Sequence, residues 1–303
     1  MNTRAPRSAF ASVGRGALDA LQWRLVIVWM LVTLLPTLVV ALPLWKALDE
    51  LLAHSVHAQA WAVHFDGLMF GDVYESLRGR PQTGAAFLAG LLLMLTFAPF
   101  LTGMAVATGR AGRALGFGAL LQGGATEYGR QLRLSILALL PYAVFFAVAR
   151  GVSSLADDRV DMALLESHAR WYQYGGMAVI AACFGIVQAV VESARAQFIA
   201  DIGLRSAFRA MGRGLLQVGR RPFANLFAYA AITIVGGAGS VAVAAWRGHT
   251  TAVGMGVLGA FLIVQLGVAI VAWTKTARLL ALASLATTNP AHRRRRTDFA
   301  PAL

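Results

Sequence analysis

Long apolar runs alternate along the chain with shorter segments rich in arginine and glycine. Six of the runs can cross a hydrocarbon core of about 30 Å, which takes roughly 20 helical residues. They fall at 25–45, 86–108, 132–150, 172–191, 223–245 and 252–274. Inside a bilayer no water satisfies the backbone, so such runs are helices or closed barrel strands; these are too long and too uniformly apolar for strands. The expected fold is all-α: a polytopic membrane helical bundle of six transmembrane helices with amphipathic interfacial helices.

The unit around which the chain is organised is plainest at 204–236. Phe208, Met211, Leu215 and Val218 share one helical face, while Arg205, Arg209 and Arg213 step down another. That pattern predicts a helix in the headgroup region, its apolar side in acyl chains and its arginines on phosphates. Arg220 and Arg221 extend the lipid-headgroup set before a span opens at Phe223.

The phrase Ser-Ala-Phe, three residues, Gly-Arg-Gly, one residue, Leu starts at Ser206 and also at Ser8, 198 positions earlier. There Phe10, Val13, Ala17 and Leu21 share a face. A looser middle copy aligns Leu120-Leu121-Gln122 with Leu215-Leu216-Gln217, and Gly129-Arg130 with Gly219-Arg220. In the spans, Leu34-Leu35-Pro36 matches Leu139-Leu140-Pro141, and Ile186-Val187-Gln188 matches Ile263-Val264-Gln265. Recurrence of this kind predicts three copies of one interfacial helix plus two spans, at about 8–108, 111–200 and 204–288. An even number of spans per copy makes the repeats parallel. The expected organisation is one membrane domain over 8–288, a disordered stretch at 1–7 and a basic tail at 289–303.

The composition is 58% hydrophobic with a net charge of +13. So strong a basic balance raises nucleic acid as a partner, but its placement argues for membrane topology. Twenty of the 27 basic residues fall on the side that holds both termini and the 109–133 and 192–221 connections, with five of the 14 acids. This asymmetry predicts cytoplasmic termini in a bacterial inner membrane, with anionic lipid headgroups as partners and no nucleic acid. Arginine's dominance, with Lys46 and Lys275 the only lysines, fits a GC-rich bacterial genome. The single cysteine, Cys183, lies in the fourth span and excludes an internal disulfide.

Candidate chemistry is sparse. On the opposite side, Glu50, His54, His57, Trp61 and His64 recur at helical spacing. His54, His57 and His64 are candidate metal ligands or proton sensors; the alternative is an interfacial helix in which Trp and His sit at headgroup level. Asp157, Asp158, Asp161 and Glu166 lack the spacing and glycine of a calcium loop, and read as a short solvated helix capped by Ser153 or Ser154. Within the spans, Glu192 and Arg195 stand one turn apart and are expected to pair or snorkel. Gln188 and Gln265 are the deepest strong hydrogen-bonding side chains, as interhelical contacts or the lining of a polar path. No catalytic motif, phosphate-cradling glycine loop or CxxC occurs, so no cofactor and no enzymatic activity are expected.

The basic elbows, with Ala207-Phe208-Arg209 and Arg220-Arg221-Pro222-Phe223 before a span, resemble a loose group of bacterial proteins. That group includes the membrane domain attached to glycerophosphodiester phosphodiesterases and related six-span proteins. The likeness implies a six-span membrane fold; it carries no catalytic domain and no functional residue onto this chain. The functional expectation is a non-catalytic scaffold or accessory contacting lipid or a membrane-protein partner. A transporter or channel is the alternative, and a membrane enzyme or metal-dependent sensor at the histidine stripe the next.

Overall fold

The computed structural model describes residues 9–53, 55–56, 60, 67–250 and 254–287. They form helices α1 (Ala9–Asp19), α2 (Trp23–Leu52), α3 (Gly67–Arg78), α4 (Pro81–Ala111), α5 (Phe117–Leu137), α6 (Leu139–Asp161), α7 (Glu166–Ala200), α8 (Ala207–Arg220), α9 (Pro222–Gly248) and α10 (Gly256–Thr287). Among the described residues, six helical stretches are long and apolar enough to cross a membrane. The chain is therefore an all-α, multi-pass membrane protein.

Local chemistry sets the breaks. Pro81 and Pro222 occupy first-turn positions, where the missing N–H costs nothing. Gly112 closes α4 in the left-handed conformation (φ 61°) that an L side chain resists. The third span is one 45-residue stretch, Phe117–Asp161, interrupted at Ala138. Pro141 contributes to this break, because it has no N–H to donate back to Leu137. Residues 132–137, expected to open that span, thus end α5 instead. Ser153 and Ser154 are not caps but lie within α6, which runs on to Asp161. The last helix continues to Thr287, well past the expected end at 274.

The helices pair as three hairpins, α2 with α4, α6 with α7 and α9 with α10. The second helices of the hairpins (α4, α7 and α10) also meet one another, so they form the centre. Gly109 of α4 marks the convergence: an added Cβ there would press on Ile199 of α7 and Leu280 of α10. Each of α5 and α8 rests on the second helix of the preceding hairpin (α4 and α7), and α1 rests on α10. The first and last described helices therefore touch. The Trp273 indole N–H donates to the Ala17 carbonyl at 2.9 Å, and Ala20 packs with Ile232, Ala277 and Ala281.

In each case a glycine permits the approach. A Cβ on Gly16 would come within 2.8 Å of the Ala277 carbonyl and the Ala281 N–H, and one on Gly214 within 2.5 Å of the Ala194 N–H. Gly124 also lies close to α4, but a Cβ there would meet the Phe100 ring and the Met104 side chain rather than backbone. The surfaces of α1 and α8 also agree. Ser12, Gly16 and Ala20 are buried, as are Ala210, Gly214 and Val218 at the matching positions; Phe10 and Phe208 are 74% and 76% exposed. In the middle copy, Gln122 is exposed whereas Gln217 is buried, so the alignment of 120–122 with 215–217 is not a packing match.

The faces of α8 also differ from the expected two. Ala207, Ala210, Gly214, Gln217 and Val218 turn into the bundle, leaving Phe208 and Leu215 as the projecting apolar edge. Small residues face protein because they let backbones approach, and large apolar ones are left to the surroundings.

Burial is concentrated at the end where α1, α5 and α8 lie, here called the base. Residues 101–106 of α4, 189–194 of α7 and 281–283 of α10 are all buried there. Away from the base the hairpins are far more open. Between Leu139 and Gln188, Phe145 is the one buried side chain.

Candidate functional site

The base carries the buried polar chemistry, and most of it comes from residues far apart in sequence. On α7, Glu192 is 4% exposed and pairs with Arg278 of α10 at 2.8 Å. The Arg278 guanidinium also donates to Thr233 Oγ1 at 3.1 Å and to Tyr229 Oη at 3.3 Å, and lies over the Tyr229 ring. Arg195 does not pair with Glu192 as expected; its Nη2 donates to Ser135 Oγ on α5 at 3.4 Å. Lys275 on α10 and Tyr142 on α6 lie within electrostatic reach of Glu192, Arg195 and Arg278. Arg195 and Lys275 thus flank the Glu192–Arg278 pair where α6, α7, α9 and α10 meet. Glu192 Oε2, Arg195 Nε and Arg278 Nε are buried with no hydrogen-bond partner among the described residues. Removing an ion from water without a full set of partners costs several kcal/mol.

A second buried carboxylate, Glu127 on α5, accepts from Arg110 Nη1 at 2.5 Å and from Arg130 Nη1 at 3.0 Å. Arg110 Nε donates to the Phe198 carbonyl at 2.7 Å, tying α4, α5 and α7 into one joint. Glu127, Gln131 and Ser135 follow at four-residue spacing, which is one helical stripe. Gln131 is fully buried, and neither of its amide atoms has a partner among the described residues. A third group is neutral. Gln197 donates to Gln217 at 2.5 Å, Gln217 donates to Asn225 at 2.8 Å and to the Leu282 carbonyl at 3.1 Å, and Asn225 donates back to the Gln217 carbonyl at 3.1 Å.

Between α5 and α8 an open groove of about 390 Å³ is lined by Arg133, Ile136, Leu137, Arg205, Ser206, Ala207 and Phe208. Arg133 and Arg205 are exposed, and Ser206 caps α8 by accepting from the Arg209 N–H at 3.4 Å. The groove thus joins an apolar wall to two guanidinium groups and the positive end of a helix dipole.

The sequence-predicted residues fare differently. Arg205 lines the groove, and Arg209, Arg220 and Arg221 are exposed at the base. Arg213 is instead engaged with Asp201 at 2.7 Å, which fastens the 201–206 connection to α8. Gln188 and Gln265 are half-buried, and neither has a hydrogen-bond partner among the described residues. They do not sit at one depth. Gln188 precedes Glu192 by four residues, while Gln265 precedes Arg278, the partner of Glu192, by 13. At 1.5 Å per residue that is a difference of roughly 14 Å.

His54, His57 and His64 lie outside the described residues, as does Trp61. Glu50 of that stripe pairs with Arg80 at 2.9 Å. Among the acids at 157–166, Glu166 bonds Arg170 on an exposed turn. No cluster of three or more metal-ligating side chains occurs among the described residues.

Sequence reasoning missed Glu127, Gln131, Gln217, Asn225, Lys275 and Arg278. The available signal was spacing: Glu127, Gln131 and Leu134 recur with the 3–4 period of a buried face. No protein-family model, curated protein or solved structure matches the chain.

Proposed function

We propose that this is a non-catalytic integral membrane protein that holds anionic phospholipid at its base, as a scaffold or accessory for lipids or membrane partners. The observation that carries this reading is the groove between α5 and α8. Ile136, Leu137 and Phe208 offer acyl-chain contact, while Arg133, Arg205 and the α8 N-terminus offer a phosphate its charge-assisted donors. Exposed Arg209, Arg220 and Arg221 extend the same positive surface. The excess of basic residues on this side supports a base facing the cytosol of a bacterial inner membrane. The three glycine-mediated contacts, on Gly16, Gly124 and Gly214, support a threefold internal repeat with a basic collar. The likeness to the phosphodiesterase-associated membrane domain rests on the phrases before the fifth span, and lends no residue a role.

The test is extraction of the full chain in neutral detergent, with mass spectrometry of the lipids that stay bound. Wild-type protein is expected to be enriched in anionic lipid over the bulk membrane. An Arg133→Gln/Arg205→Gln variant is expected to fall toward bulk composition. Bound lipid that mirrors the bulk in the wild type sinks the reading.

A further inference from the structure

The groove uses Arg133 and Arg205 and leaves the deeper charge unexplained. We propose that Arg195, Lys275 and Arg278 form a second site, set among α6, α7, α9 and α10, that binds a single phosphate group. This rests on the lipid-holding reading above, and deepens it from surface contact to a seated headgroup.

Four observations carry it. The groups gathered there are mainly donors: two guanidiniums, the Lys275 amine and the hydroxyls of Tyr142 and Tyr229, against one carboxylate. That carboxylate, Glu192, is engaged by Arg278 at 2.8 Å, while Lys275 has no ion-pair partner among the described residues. Arg195 Nε and Arg278 Nε are buried and unpartnered, as is Oε2 of the nearly fully buried Glu192. Finally, Arg195 lies five residues before the end of α7 at Ala200, so the site begins about 8 Å from the helix end. A phosphate presents several acceptor oxygens, which arginine meets two at a time and lysine as a point charge. Such a group neutralises the excess cations, and at this depth it can arrive on a lipid or as a free ion from the basic face.

The experiment uses the full chain in dodecyl maltoside after lipid exchange, followed by thermal unfolding. The ligands are dioleoyl phosphatidylglycerol, inorganic phosphate, and dioleoylglycerol as the phosphate-free control. Phosphatidylglycerol is expected to raise Tm saturably while dioleoylglycerol does not. Lys275→Gln is expected to weaken the apparent affinity roughly tenfold, the loss of one charge-assisted contact, and Lys275→Arg to restore it. A shift with inorganic phosphate of the same size supports the site and assigns it to the free ion; a shift with the lipid alone assigns it to a headgroup. Equal stabilisation by dioleoylglycerol, no shift with either phosphate ligand, or a full shift in Lys275→Gln overturns the proposal. If Lys275→Gln does not fold, Arg195→Gln takes its place under the same criteria. The groove reading fails separately, through unaltered lipid retention in the Arg133→Gln/Arg205→Gln variant.

Discussion

The base and the α6–α7 hairpin are built from much the same apolar alphabet, yet they pack by different rules. At the base, alanine and glycine on α1, α7, α8 and α10 bring backbones into contact, and buried polar groups knit the helices together. Along the hairpin, Leu139, Leu140, Val144, Phe146 and Leu155 point outward. In lipid, apolar bulk gives helices no reason to associate, because acyl chains satisfy it equally well. Association there needs small residues or polar partners, and the base has both.

Substitutions in the two regions sharpen that contrast. The largest loss is expected from Glu192→Ala, which strands Arg278 in a buried place. Breaking one side of such a pair costs about 3–5 kcal/mol, measured as reversible unfolding in mixed micelles. Next comes Gly214→Leu, which forces α8 off Ala194 and is expected to cost roughly 1–3 kcal/mol or more. The equivalent Gly185→Leu, with open space around the hairpin glycine, is expected to change stability little in the same assay. Asn225→Leu removes two hydrogen bonds of Gln217, one to its side chain and one to its carbonyl, for about 1–3 kcal/mol. The smallest effect belongs to Arg170→Ala at the hairpin tip, where the exposed bond to Glu166 contributes at most about 1 kcal/mol. Comparable losses at Gly185 and Gly214 break the comparison, since they would mean that the hairpin is packed as tightly as the base.

The six spans were legible in the sequence because hydrocarbon thickness imposes a minimum length that composition alone reports. The likeness of 8–18 to 206–216 was legible too, since identical residues meet matching surroundings in α1 and α8. What escaped was pairing across long separations. Glu192 has Arg195 one turn away, but Arg278 reaches it from α10, and no periodicity encodes that choice. The middle segment was harder to read. Gly124 lies against the side chains of Phe100 and Met104 where Gly16 and Gly214 meet backbone, and matching Leu-Leu-Gln sets an exposed Gln122 beside a buried Gln217. The faces of α8 were half legible: hydrophobicity marks what avoids water, and does not say whether protein or lipid will cover it.

The seam between α1 and α10 bears on how the molecule is made. A ribosome releases α1 long before α10, so the backbone of Ala277 and Ala281 that accepts Gly16 does not exist until α10 is made. Until then the protein surface open to α1 is that of α9, where Phe227 meets Phe10 and Ile232 meets Ala20. Closure of this seam is then a late event, and a chain stalled before α10 leaves Gly16 without the backbone it packs on.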